Sequence, residues 1–358
     1  MTTTAPETLH PAASSPQTTA DAIARSRRAH TLRWLIVVTS LALMVAALYL
    51  LSLMVGNTFY SPAEIARVVA GEQVPGASFA VGHLRLPRAS TALLVGAAFG
   101  IAGVTFQTLL RNALASPDII GISSGASAAA VFGIVVLGLG DGAVSLIALA
   151  GALLTSAAIF LLSHRGGFGG TRLILIGIGV GAMLNAVTTF VLSTAAAWDL
   201  QAAMRWITGS LNTASWSTLA PLALGCAAIM PVLLLRGSSL SLLRMGDDLA
   251  RGLGVAVSRD RIVLLAGAVS LLAIATAAAG PIAFVAFMAG PIAARLVRPG
   301  APLLLPAALV GALLVLGADL IGQFAFDTRY PVGVITGALG APFLIALLIR
   351  TNRAGGSL

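Results

Sequence analysis

The chain has 358 residues, of which 58% are hydrophobic and only 9% charged, with a mean hydropathy of +0.98. A water-soluble domain clothes its surface with about 25% charged residues, so this composition suits lipid as the surrounding medium. The net charge of +9 rests on 21 basic residues, all of them Arg and thinly scattered between apolar runs, which fits membrane orientation and not nucleic-acid binding. Without Lys the chain can form neither a Walker A loop nor a Schiff base. Cys226 is the single cysteine, which excludes an internal disulfide and a thiolate metal site, and His10, His30, His83 and His164 are too widely spaced for a ligand motif. No catalytic residue and no metal site is expected.

In chain order, residues 1–24 are rich in Thr, Ala, Ser and Pro and too poor in large apolar side chains to order themselves, so a disordered cytoplasmic tail is expected over 1–32. Arg25, Arg27, Arg28 and Arg33 then precede an apolar run from Trp34 to Val55. It resembles a signal peptide but is too long and lacks a small-x-small exit, so it reads as a retained first span. Further apolar segments follow at 91–110, 123–139, 143–163, 171–194, 217–235, 262–279, 282–297, 303–325 and 332–350. Continuous rather than alternating apolar runs choose helices over a barrel. The expectation is an all-α, polytopic domain over 33–350 with ten transmembrane helices, followed by a cytoplasmic tail at 351–358.

Ten crossings put both termini on one side. Only Arg67, Arg85, Arg88, Arg205 and Arg329 then fall on the opposite side, and the remaining arginines mark the N-terminal side as cytoplasmic. Trp34, Trp198, Trp206 and Trp216 sit where interfacial anchors belong. Within the spans, Gly96 and Gly100, Gly177 and Gly181, and Gly333 and Gly337 have small-xxx-small spacing, which lets helices approach closely. Gly177, Gly179 and Gly181, followed by Asn185, Thr188 and Thr189, leave one helix face thin and modestly polar, as packing or a path lining would require. Asp319 lies 16 residues past Leu303, about 24 Å along a crossing of about 30 Å. Near that edge, water or Arg329 can satisfy it, and a structural salt bridge is expected over a proton-coupling role.

The loop between the sixth and seventh spans runs from Arg244 to Val255. Gly246 breaks the preceding helix, Asp247 can cap a new one and Asp248 suits its first turn. Ala250 and Gly254, four apart, leave a flat face for another protein to grip.

Several motifs in this order resemble the membrane subunits of type II ABC importers that carry iron-siderophores, haem and vitamin B12. They are Leu84-Arg85-Leu86-Pro87-Arg88, the stretch from Gln107 to Asp118, Gly121 through Ala126, and Arg205 through Leu211. Met245-Gly246-Asp247-Asp248, Gly280 through Val285, Ala318-Asp319-Leu320, Pro331-Val332-Gly333 and Gly340-Ala341-Pro342-Phe343 complete the set. The wording of Ser116 to Gly121 and of Met245 to Asp248 is most similar to ferric-enterobactin-type permeases. The resemblance implies a permease fold with helices two to five and seven to ten related by an inverted repeat, for which the sequence itself offers only Ala102-Gly103 against Ala279-Gly280.

It further implies that Met245, Gly246, Asp247, Asp248, Ala250, Leu253 and Gly254 form a coupling helix docked into an ATPase. Two such ATPase subunits would use ATP and Mg, and this chain would bind no cofactor directly. Arg85 and Arg88 would meet acidic side chains of a periplasmic or lipoprotein siderophore-binding protein, lipid headgroups being the alternative. The third basic position of relatives is Gln323 here, with Arg329 six residues later. Where many relatives have Pro-His, this chain has Gly290-Pro291-Ile292. The path would be lined by spans five and ten, with Asn185, Thr188, Thr189, Gly177 and Gly181, and a second permease would complete it, more in keeping with a heterodimer than a homodimer. The cargo implied is a ferric siderophore, with haem or cobalamin as alternatives and a proton-coupled carrier as the rival class.

Overall fold

The computed structural model describes residues 16–118, 121–163 and 170–353. The expectations for residues 1–15, for Ile119, Ile120, His164 and Arg165, and for residues 354–358 lie outside the described residues. All regular structure described is helical. α1 (Pro16–Met54) leads into α2 (Pro62–Val69), α3 (Ala77–Phe79), a π-helical turn at Ala80–Arg85 and α4 (Leu86–Leu109). Then come α5 (Ile122–Val135), α6 (Asp141–Ser163), α7 (Gly170–Ser193), α8 (Ala197–Thr208) and α9 (Trp216–Leu235). The chain continues through α10 (Gly237–Leu243), α11 (Asp247–Gly252), α12 (Val257–Ala279), α13 (Val285–Leu296), α14 (Leu304–Phe324) and α15 (Val332–Arg353).

Each of the ten predicted apolar segments is a helix, but they are not ten equal spans. Among the described residues eight helices are long and apolar enough to cross a membrane. The other two, α5 and α13, have 14 and 12 residues, a rise of about 21 and 18 Å against a hydrocarbon thickness of about 30 Å. Helix continuity is lost there because α5 follows Gly121 and α13 follows Phe284, both in the left-handed region at φ 88° and 64°. A second correction concerns the N-terminal tail. α1 begins at Pro16, so the stretch up to residue 32 is helical. Pro is tolerated in a first turn, and beyond it neither Pro nor Gly interrupts a run rich in Ala and Arg. At the other terminus α15 continues to Arg353, three residues into the predicted tail.

The interior is built on α4, whose residues are buried almost continuously from Val95 to Leu109 and which packs on α12, α13 and α14. Gly96 and Gly100 lie against the backbone of Ala307, Ala308 and Gly311 on α14, and Gly103 against Ala286 on α13, so closely that a methyl group would overlap a carbonyl oxygen. In lipid, where burying an apolar side chain gains nothing over leaving it in the acyl phase, such backbone approach is what holds helices together.

Two sets of four helices repeat one packing pattern. α4 to α7 correspond to α12 to α15: α5 touches α6 and α7 as α13 touches α14 and α15, and α4 contacts α13 and α14 as α12 contacts α5 and α6. Gly121 and Phe284, Ile122 and Val285, Asp141 and Leu304, and Gly177 and Gly340 are all separated by 163 residues. The two members of the last pair do the same work, since Gly177 abuts Gly121 and Gly340 abuts Phe284. The repeat is inverted, because the start of α4 meets the end of α14 through Arg88 and Asp319, while its end meets the approach to α12 through Arg111 and Asp247. Ala102-Gly103 and Ala279-Gly280 are not equivalent, however. Gly103 is a mid-helix contact, whereas Gly280 is the C-cap of α12 at φ 72°.

Candidate functional site

The two ends of α4 lie about 35 Å apart along its axis, and each gathers a cluster of charged residues. At its first turn Arg85, Arg88 and Arg329 border one cavity of about 370 Å³, together with Asn57, Asn212 and Gln323. The predicted docking arginines are thus brought together, but two of them are turned into the protein. Arg85 donates from Nη1 to Leu53 O and Met54 O, both at 2.9 Å, and from Nη2 to Thr58 O at 2.6 Å. Its guanidinium also lies 4.9 Å from the Tyr60 ring centre. It therefore caps carbonyls at the C-terminus of α1, where a cation is favoured, with Met54 O accepting from Tyr60 N–H as well.

Arg88 grips Asp319 side-on, Nε to Oδ2 at 2.9 Å and Nη2 to Oδ1 at 2.8 Å, and its Nη1 donates to Asn212 Oδ1 at 2.9 Å. The two side chains are 20% and 6% exposed. The expected salt bridge of Asp319 exists, but with Arg88 in place of Arg329. Gln323 donates to Asp319 Oδ2 at 2.8 Å, so the residue at the third basic position completes this carboxylate's hydrogen bonding. Arg329, exposed, donates to Asn57 Oδ1 at 3.2 Å.

At the far end, α4 stops in a Schellman turn, with Arg111 N–H donating to Thr108 O and Asn112 N–H to Gln107 O. Glycine usually occupies the left-handed position of this turn; here it is Arg111, at φ 50°. Its Nη2 donates to Asp247 Oδ1 at 2.8 Å, and Nη2 of Arg261 contacts both oxygens of Asp247 at 2.9 and 3.0 Å. Asp247 therefore does not cap α11; Gly246 is the N-cap, at φ 116°. Ala250, expected on the gripped face, is completely buried in this chain because it is the side of α11 turned to the bundle. What α11 presents instead is Asp248, whose side chain is 99% exposed and paired with Arg251, flanked by exposed Met245, Leu249 and Leu253. Gly254 is exposed at φ 85°. Leu249, Arg111 and Arg261 were not singled out as site residues by sequence reasoning. Leu249 had a signal in its i,i+4 spacing from Met245 and Leu253, whereas the arginines depend on contacts across 136 and 14 residues.

On α7, Asn185 and Thr189 are exposed and Thr188 is buried, with both threonine hydroxyls donating to carbonyls four residues back. Gly177 and Gly181 do not share that exposed face. Both are buried, with Gly121 filling the space beside them, which makes them packing positions within this chain. One further group was not anticipated. Asp118, half-buried at the approach to α5, accepts a 2.6 Å hydrogen bond from Ser123, and desolvation pushes its carboxyl above the usual range.

A helical bundle with inverted halves, interrupted helices and charged clusters at both membrane-facing ends has the construction of a membrane transport permease. The chain belongs to the FecCD transport family, which it matches over residues 43–350. It is 40% identical over 299 residues to the ferric enterobactin transport system permease protein FepG of Escherichia coli (strain K12), covering 83% of this chain and 91% of that one. It is 42% identical over 312 residues to the achromobactin transport system permease protein CbrC of Dickeya dadantii (strain 3937), covering 86% and 89%. Among solved structures, an inward-facing metal-chelate type ABC transporter superposes with a TM-score of 0.76 at 26% identity, covering 87% of this chain and 98% of that one.

Proposed function

We propose that this chain is the permease subunit of an ATP-driven importer that moves a ferric siderophore, of the catecholate or enterobactin type, across the cytoplasmic membrane. The observation that carries the reading is the 40% identity, over 83% of this chain and 91% of the relative, to a ferric enterobactin permease. Both termini face the cytoplasm, where the arginines concentrate. The chain performs no catalysis and binds no cofactor; ATP and Mg are used by two separate ATPase subunits that seat against α11. Asp248, Met245, Leu249 and Leu253 are the groups that touch the ATPase, while Asp247 holds α11 to the bundle. Arg329 is the cation of the opposite vestibule best placed to reach an acidic binding protein. Arg85 and Arg88 set the shape of that vestibule and present only what exposure their internal bonds leave.

A second, non-identical permease covers the exposed face of α7 that carries Asn185 and Thr189, and the path runs between the two chains with α15 on its other side. The test is uptake of radioactive ferric enterobactin by cells that contain the chain and its cognate partners. Asp248→Arg inverts an exposed charge whose partner, Arg251, lies on the same short helix, and it is expected to reduce uptake at least tenfold and to release the ATPase from purified membranes. Uptake that persists without the ATPase and follows a pH gradient would refute the proposal in favour of a proton-coupled carrier. In that case Asp319→Asn would be the variant that stops transport.

A further inference from the structure

The N-terminal half of α1 continues beyond Trp34 as an exposed helix carrying Arg25, Arg27, Arg28, His30 and Arg33 against a single acid, Asp21. It meets the loop between α13 and α14, where Trp34 Nε1 donates to Pro302 O at 2.9 Å. Between them lies a cavity of about 530 Å³, within the range of small-ligand sites, about 300–1,000 Å³. Its lining is divided by chemistry. Trp34, Pro299, Ala301 and Pro302 form an apolar floor, and Arg27 and His30 form a polar, hydrogen-bond-donating edge. Among the described residues neither Arg27 nor His30 has an ion-pair partner.

We infer that this cavity is a binding site for an anionic phospholipid, with the phosphate between Arg27 and His30 and the glycerol and upper acyl chain against Trp34 and Pro302. Three observations point to this occupant. The site lies at the end of the apolar run, where Trp side chains sit at headgroup level. Along α1 its apolar contact, Trp34, opens the apolar run, whereas Arg27 and His30 precede that run. The charge excess around it has the sign that attracts anionic lipid, each arginine near a membrane surface strengthening attraction about fivefold. The loop from Pro299 to Pro302 has two prolines, so its shape is largely set before a lipid arrives. The inference needs α1 to cross the bilayer, not any particular cargo, and so stands apart from the proposed function.

The test is native mass spectrometry of the purified full-length chain released from nanodiscs of phosphatidylcholine with equal phosphatidylglycerol. Wild type is expected to retain phosphatidylglycerol over phosphatidylcholine at least about fivefold. Arg27→Gln with His30→Gln should abolish that preference, and Arg259→Gln, an exposed arginine elsewhere, should keep it. Ala301→Trp fills the cavity without changing charge, and it too should abolish the preference, its thermal transition reporting that it folds. Equal retention of both lipids by wild type would overturn the inference. So would an Ala301→Trp chain that folds and keeps the preference, since diffuse charge would then be the cause. Displacement of the lipid by millimolar inorganic phosphate would show a free-anion site and would likewise overturn it.

Discussion

Arg88 and Asp319 are joined by hydrogen bonds across 231 residues of sequence, with both side chains largely withdrawn into the protein beside the cavity. Removing one member of such a pair strands the other, a loss of about 3–5 kcal/mol, whereas replacing both with apolar groups is often tolerated. Asp319→Asn is therefore expected to lower the thermal midpoint of the purified chain markedly, and Arg88→Leu with Asp319→Leu to recover most of it. The measurement is a thermal unfolding series in detergent, and equal losses in single and double variants would contradict the assignment. Arg111 yields a different expectation, since its backbone sits where glycine is preferred and an L-residue is strained by about 1–2 kcal/mol. Arg111→Gly should leave the thermal midpoint unchanged or raise it while loosening Asp247, detected as weaker ATPase co-purification. Glu64 supplies a pH test. Its carboxylate accepts from Ser61 N–H and Ser61 Oγ, both at 2.8 Å, which holds it below its ordinary value of 4.5. A depressed folded value means that this support for α2 is present above pH 4.5 and is lost as pH falls through the folded value. Protection factors of the amides from Ser61 to Ile65, corrected for the intrinsic pH dependence of exchange, should accordingly fall at the acid end of that window while those in α4 stay constant.

At the scale of elements, the apolar runs announced their helices because length and hydropathy are local properties. The run at 282–297, for instance, contains α13 but starts three residues early, since the left-handed Phe284 that delays the helix is held by Gly340 far along the chain. The same reason explains why the loop helix was legible but its orientation was not. Gly246 and the acidic pair mark a short helix locally, while the burial of Ala250 depends on how α11 leans on the bundle. Glycine spacing was likewise readable on α4, though not which helix would fill the groove. That groove provides the prediction for this scale. Gly100→Leu must push α4 off Ala307 and Ala308, and overpacking of this kind costs about 1–3 kcal/mol or more. Little folded protein should be recovered from membranes, whereas Gly179→Leu, where nothing lies within 4 Å, should be recovered normally.

For the whole molecule, the inverted repeat explains why both short helices are accommodated. Each is flanked by members of its own set and pressed against the opposite set, and the left-handed residue before it is packed within its own set, Gly121 on Gly177 and Phe284 on Gly340. The surfaces left over are apolar and unequal: α7 exposes Met183, Val187 and Phe190 beside Asn185 and Thr189, and α15 exposes Val334, Leu339 and Ile345. If a non-identical permease covers them, the intact mass of the purified assembly should contain one copy of this chain for every two ATPase subunits. Two copies would establish a homodimer instead.

The helix at the centre is clasped at its beginning by Asp319 and just past its finish by Asp247, and its glycine-lined flank has no slack against α13 and α14. A rod fixed in this way cannot bow. Any displacement imposed at its lower fastening has to reappear at the upper one as a tilt of the same body, so the vestibule would answer to the opposite face of the membrane without a message passed residue by residue.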